Sequence, residues 1–135
     1  MTQKIIPYVY YEDGAAALEF LCKAFGFEER MRMARGDGSL MHAEVGYQDN
    51  VVMLGTPLDD EGKPEHLRDA ALRHSSVMCY VDDVDAHYAR ARAAGARITA
   101  VLEDKPYGAR QYTAEDPEGL HWHFSTSLGD GAGED

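Results

Sequence analysis

The stretch Asp116-Pro117-Glu118-Gly119-Leu120-His121-Trp122-His123-Phe124 decides how this chain is read. Pro117 fixes φ at the second position of a four-residue turn and Gly119 tolerates the conformation that closes it, so residues 116–119 form a tight turn. A strand follows. Successive side chains of a strand point to opposite sides, which puts Leu120, Trp122 and Phe124 on one face and His121 and His123 on the other. The bulky face, with Trp122 in it, belongs to a core. The histidine face turns away from that core, toward solvent or a groove, and which of the two it meets decides the function.

Upstream of this strand, residues 111–114 and 97–102 read as strands, preceded by a helix. That helix takes Asp82 as its N-cap and Asp85 in its first turn, carries the apolar stripe Val84, Tyr88 and Ala91, and closes at Gly95. Residues 75–81 supply the strand before it. The first half of the chain has the same order. Residues 5–11 read as a strand, Asp13 as a helix cap, and Leu18, Leu21, Cys22 and Phe25 as the i, i+3, i+4, i+7 stripe of a helix that Gly26 ends. Strands over 27–35, 39–47 and 50–54 follow, separated by Gly36-Asp37-Gly38 and Gln48-Asp49-Asn50, both turn chemistry. The interval from Asp13 to Gly26 equals that from Asp82 to Gly95, the mark of a duplicated β-α-β-β-β unit. This gives module one at 4–55, a connector at 56–74 and module two at 75–128, all within one domain, 1–128. Residues 129–135 are small and acidic and are expected to be disordered. The connector holds Pro57, Pro64 and a charge cluster. A short helix is expected to open at Pro64, with Leu67 and Leu72 available to pack, and the segment reads as a mobile linker, the alternative being a lid.

At 135 residues and 44% hydrophobic composition the chain is long enough for one well-packed domain. Its formal net charge of −11, from 24 acidic against 13 basic residues, repels phosphate backbones and anionic membranes, so neither nucleic acid nor a membrane is an expected partner. Cys22 and Cys79 sit in apolar patterns without metal-ligand spacing and read as buried thiols. No leader or membrane-spanning run stands out, which reads as cytoplasmic.

Two β-α-β-β-β units, helices opening at Asp13 and Asp82, and the closing Asp116-Pro-Glu-Gly…Trp122-His-Phe124 resemble the vicinal oxygen chelate superfamily, in its glyoxalase/bleomycin-resistance/dioxygenase branch. His42-Ala-Glu-Val, Met53-Leu-Gly55 and Pro106-Tyr-Gly-Ala-Arg110 are similar to small bacterial members of that branch. The resemblance covers about residues 5–127. It implies an α+β fold of two tandem modules forming a curved mixed sheet around a shared groove. It also implies a homodimer, by analogy with the bleomycin-binding members, and four inherited metal-ligand positions, which fall here at Ile6, Met53, Ser76 and His123. Ile has no donor, a thioether suits soft Cu(I), and a neutral Ser hydroxyl is weak, so no metal cofactor is expected.

Strand parity then gives the groove face. With Pro7, Val9 and Tyr11 under the helix, Ile6, Tyr8 and Tyr10 face the groove; with Met41, Ala43 and Val45 packed inward, His42 and Glu44 face it too. Met53, Ser76, Met78, Tyr80, His121 and His123 join by the same rule. The set is an aromatic, methionine-containing cup for a small molecule. His121 and His123 project to one side of a strand about 7 Å apart, so if a divalent metal binds, they and Glu44 make a two-His-one-carboxylate set; otherwise they are polar residues of a half-solvated face. Glu44 beside His42 reads either as a general base with its orienting partner or as a surface pair. Tyr8, Tyr10, Tyr80 and Tyr107 either stack on a flat or cationic ligand or serve ordinary sheet packing. Arg110 reaches either a ligand carboxylate or an acidic neighbour. The expected function is a metal-free glyoxalase/bleomycin-resistance-like protein that binds an aromatic or cationic compound, as in antibiotic resistance. The alternative is a metal-dependent lyase, isomerase or dioxygenase with a non-standard ligand set.

Overall fold

Asp13 lacks helical dihedrals, and its carboxylate accepts the Ala16 N–H, which satisfies one of the donors a helix start leaves open. From that cap α1 runs over Gly14–Phe25 and ends at Gly26 in the left-handed conformation. The structure, a computed structural model, describes residues 3–67 and 75–129. It divides into two compact units, residues 1–72 and 73–135. Leu72, the end of the 56–74 connector and the tail beyond Gly129 lie outside the described residues.

In the first unit α1 is preceded by β1 (Tyr8–Tyr10) and followed by β2 (Glu28–Ala34), β3 (Leu40–Tyr47) and β4 (Asn50–Gly55). The sheet order is β1-β4-β3-β2, with β1 parallel to β4 and the other pairs antiparallel. Tyr11, Leu18, Leu21, Phe25, Leu40, Val45 and Leu54 make its core, all at most 1% exposed. Leu18, Leu21 and Phe25 follow the helical period and Val45 and Leu54 lie on one side of the sheet, so one face is covered and the other is left open.

The second unit holds β5 (Ser76–Tyr80), α2 (Val84–Ala93), β6 (Arg97–Lys105), β7 (Ala109–Glu115) and β8 (His121–Ser127) in sheet order β5-β8-β7-β6. Its β5–β8 pair is parallel and the rest antiparallel. The topology repeats that of the first unit. Trp122, Phe124 and Tyr112 are fully buried, with Tyr112 stacked on Phe124 at 5.5 Å between ring centroids. His87 on α2 meets the Tyr112 hydroxyl at 2.6 Å, so the phenol's polar end is satisfied inside the core. The turn before β8 is held by Asp116, whose carboxylate accepts the Glu118 N–H, the Leu120 N–H and the Trp122 indole N–H. Gly119, at φ 90°, closes it.

Four expectations are corrected. The second helix is capped by Asp83, whose carboxylate accepts from Ala86 N, and not by Asp82. This cap stands as far from Asp13 as Met78 from Tyr8 and His123 from Met53, but its interval to Gly95 is one residue shorter than that from Asp13 to Gly26, so the equal helix spacing read from the sequence is not kept. No helix opens at Pro64: that residue bridges to Leu58, and residues 65–67 are irregular, held by Glu65 N to Pro57 O and Leu67 N to Glu12 Oε1. Met41 does not pack inward but is 45% exposed. Between the pairs Met33↔His42 and Ala34↔Leu40, β3 has one residue more than β2, and this bulge turns Met41 to the same open side as His42 while Leu40 and Ala43 both stay in the core. Cys22 and Cys79 are half-buried rather than buried, and neither is in a disulfide. Burial still raises the Cys79 thiol to about 11.

Candidate functional site

The open face of the first unit is built by register. Tyr8 lies beside Met53, Met53 beside Glu44, and Glu44 beside Met31, a row that crosses all four strands. Tyr10 lies beside Gly55 and Met33 beside His42 in the next row. Gly55 is needed here for close approach: a Cβ there would stand 2.7 Å from the Met41 carbonyl oxygen and 3.1 Å from the Tyr8 hydroxyl. With that space open, the Tyr8 hydroxyl reaches His42 Nδ1 at 2.9 Å, and His42 Nε2 meets Glu44 Oε2 at 3.4 Å. The Tyr8 and Tyr10 rings lie 4.9 Å apart, and Tyr8 and His42 5.6 Å.

Burial raises the Tyr8 phenol above its ordinary value, with Tyr10 adding to the effect and Arg35 opposing it, so Tyr8 keeps its proton. His42 bridges the two, with Nδ1 facing the Tyr8 hydroxyl and Nε2 facing the Glu44 carboxylate. The sequence reading placed Tyr8, Tyr10, His42, Glu44 and Met53 on one face, and they share it. It missed Met31 and Met33, which parity across β2 and β3 supplies once the pairing is known.

The second unit carries a different set on its corresponding face. Ser76 lies beside His121, Met78 beside His123 and Tyr80 beside Ser125, and β7 adds Glu115, Thr113 and Gln111 opposite the same three residues of β8. Thr113 Oγ1 meets His123 Nδ1 at 2.8 Å, and His121 Nε2 meets Glu115 Oε2 at 3.1 Å. Burial, and secondarily His121, hold His123 below the ordinary imidazole value, so it is neutral at neutral pH. Tyr107, in the turn before β7, donates to Gln111 Oε1 at 3.2 Å, as does the Ser125 hydroxyl. Thr113, Gln111 and Ser125 were not foreseen; alternation along 111–114 set against His123 is the signal that finds them.

Arg110 is corrected. It alternates with Gln111 onto the helix side of β7, where its guanidinium binds Asp85 on α2 and Asp104 on β6, each at 2.8 Å. These two carboxylates hold it above its usual value and leave it off the histidine face. Of its two readings, the acidic neighbour is the one the structure carries. Two open clefts, each about 410 Å³, lie elsewhere in the first unit, one beside Asp13, Asp37 and Thr56 and one beside Glu28, Arg30 and Gln48. Neither includes the Tyr8–His42–Glu44 face.

Residues 5–124 match the family profile described as the Glyoxalase/Bleomycin resistance protein/Dioxygenase superfamily. The chain belongs to this superfamily. Among curated relatives, it is 34% identical over 118 residues to the uncharacterized proteins Mb0911c of Mycobacterium bovis and Rv0887c of Mycobacterium tuberculosis; the aligned part is 86% of this chain and 78% and 69% of those relatives. Among solved structures, TioX from Micromonospora is 32% identical with a TM-score of 0.71, covering 96% of this chain and 99% of TioX. TnmS3, an antibiotic binding protein from Streptomyces, is 20% identical with a TM-score of 0.64, covering 94% and 98%, a likeness of fold alone.

The superfamily's inherited metal positions do not fit a divalent ion here. Ile6, Met53 and Ser76 supply a hydrocarbon, a thioether and a neutral hydroxyl, and the fourth position, His123, has Nδ1 hydrogen-bonded to Thr113. Among the described residues no three His, Cys, Asp or Glu side chains gather as a metal-binding group, and the set His121, His123 and Glu44 draws on both units.

Proposed function

We propose that this member of the glyoxalase/bleomycin-resistance/dioxygenase superfamily is a metal-free small-molecule-binding protein that takes an aromatic or cationic compound on its open sheet faces. The observation that carries the reading is the exposure of large, adaptable side chains there: Tyr10 is 51%, Tyr80 61%, Tyr107 53%, Met33 46% and Met78 45% exposed. Apolar area of this kind on an ordered sheet is a recognition surface, with tyrosine supplying rigid rings and methionine a shape that adapts. The antibiotic-binding neighbour TnmS3 shares the fold. In this reading the protein acts in the cytoplasm as a homodimer and protects against a toxic compound by sequestration.

The test is thermal melting of chelator-treated protein against a panel of flat aromatic compounds and organic cations, with elemental analysis of untreated protein alongside. Saturable stabilisation by at least one compound class, unchanged by chelator, is the expected result. About one equivalent of transition metal per chain, lost in His123→Ala, would overturn the metal-free reading and restore the lyase, isomerase or dioxygenase alternative. One observation favours a second reading, a metal-free enzyme. The contacts of Tyr8, His42 and Glu44 resemble those that orient a base for removing a proton next to a carbonyl. Solvent-deuterium exchange into carbonyl compounds, lost in Glu44→Gln, would establish it.

A further inference from the structure

Glu44 is the carboxylate of the row Tyr8, Met53, Glu44 and Met31, and its surroundings differ from those of the glutamates on β2 and β7. Glu28 and Glu29 on β2 pair with Arg30 and Arg32 at 3.3 and 3.0 Å. Glu115, on the second unit's corresponding face, has His121 at 3.1 Å and Arg97 at 3.8 Å. Glu44, with its side chain only 27% exposed, has as its recorded partner among the described residues His42 alone, in a long 3.4 Å contact to one carboxylate oxygen. A half-buried carboxylate beside Met53 and Met31, with one long contact, keeps lone pairs open to a cation.

The hydrogen-bonding inventory around it points the same way. His42 spends both ring nitrogens within this face, Nδ1 on the Tyr8 hydroxyl and Nε2 on Glu44. Glu44 is an acceptor, thioethers accept weakly, and the Tyr10 ring presents π density. An ammonium group finds the Glu44 carboxylate and the Tyr10 ring in these rows, with the Arg30 guanidinium over Gly46 and Arg35 near Tyr8 as the basic groups beside them.

We propose that Glu44 anchors the protonated amine of an aromatic ligand, with the amine between Glu44 and the Tyr8 oxygen and the flat ring against Tyr10 and the methionines. His42 is a positioning residue that holds the carboxylate on one side and the Tyr8 hydroxyl on the other. This inference rests on the small-molecule-binding reading above and narrows it to one ligand class.

The experiment uses isothermal titration of the full chain with 9-aminoacridine, protonated at neutral pH, and with acridine, the neutral ring of the same shape. Glu44→Gln keeps the size of the side chain and removes its charge; Glu19→Gln, an exposed position on α1, removes one charge away from the face. Tyr8→Phe removes the second acceptor. The expected result is at least tenfold tighter binding of 9-aminoacridine than of acridine. That preference falls to near one in Glu44→Gln, drops partially in Tyr8→Phe and persists in Glu19→Gln, while acridine affinity stays constant throughout. Equal binding of both probes, or a preference that survives Glu44→Gln, overturns the anchor and leaves the binding reading standing. If neither probe binds any variant, the anchor and the flat-ligand reading both fail. Melting curves of each variant separate loss of binding from loss of fold.

Discussion

At the scale of single residues, Asp116 and His123 bear the most testable physics. The Asp116 carboxylate, 4% exposed, takes two backbone N–H groups and the Trp122 indole N–H. Hydrogen bonds to a charged acceptor are stronger than neutral ones, and removing the acceptor leaves buried donors unsatisfied. Asp116→Ala is therefore expected to destabilise the chain by about 3 kcal/mol or more, read as a shift in urea midpoint at constant slope; a loss below about 1 kcal/mol would mean the turn reorganises around water. His123 acts through pH. Burial lowers its folded value below the unfolded 6.5, so the unfolded chain binds the proton more readily. Its contribution is complete above about pH 6.5 and is lost as pH falls through the folded value. Between pH 7 and pH 5 the melting temperature of the native chain should drop more than that of His123→Gln, and parallel curves for the two would contradict the shifted titration.

At the scale of elements, the sequence reveals periodic things well and positional accidents poorly. The alternation Leu120, Trp122, Phe124 against His121, His123 needs no tertiary information and is what β8 adopts, with Leu120, Trp122 and Phe124 buried. All eight strands and both helices of the described residues were legible this way, although β1 is shorter and β6 and β7 are longer than expected. Met41 was misplaced because a bulge adds a residue without any mark in the local sequence, and parity counted across it inverts. Met31 and Met33 were missed for a related reason, since a strand's place in a sheet is a pairing fact. Arg110 was ambiguous because its partners, Asp85 and Asp104, lie on other elements. The helix cap was a choice between two adjacent aspartates, and geometry decides it. Asp83→Ala should cost about 1 kcal/mol and Asp82→Ala a few tenths, checked by denaturant titration; the reverse order would restore the Asp82 reading.

At the scale of the whole molecule, two units share one topology and have diverged in what their open faces carry. Tyr8 in the first corresponds to Met78 in the second, Met53 to His123, and Glu44, beside Met53, to Thr113, beside His123. The two units keep the strand framework and an Asp N-cap on each helix, while the exposed rows, which the core does not constrain, differ position by position although each carries Tyr, Met, His and Glu. The net charge of −11 acts on both. Its field extends about 10 Å into solution at 0.1 M salt and attracts cations before any contact is made. This separates two roles for acid residues in binding a protonated amine. Long-range charge speeds encounter and is screened by salt, whereas a contact charge slows escape. Association of 9-aminoacridine should therefore slow several-fold between 20 and 300 mM salt, by about the same factor in the native chain and in Glu44→Gln, with acridine association unaffected. Dissociation, followed by stopped-flow fluorescence, should change little with salt and rise about tenfold in Glu44→Gln alone. If Glu44→Gln altered only association, Glu44 would be one more charge in the general field, and the selectivity for amines would belong to the molecule's net charge.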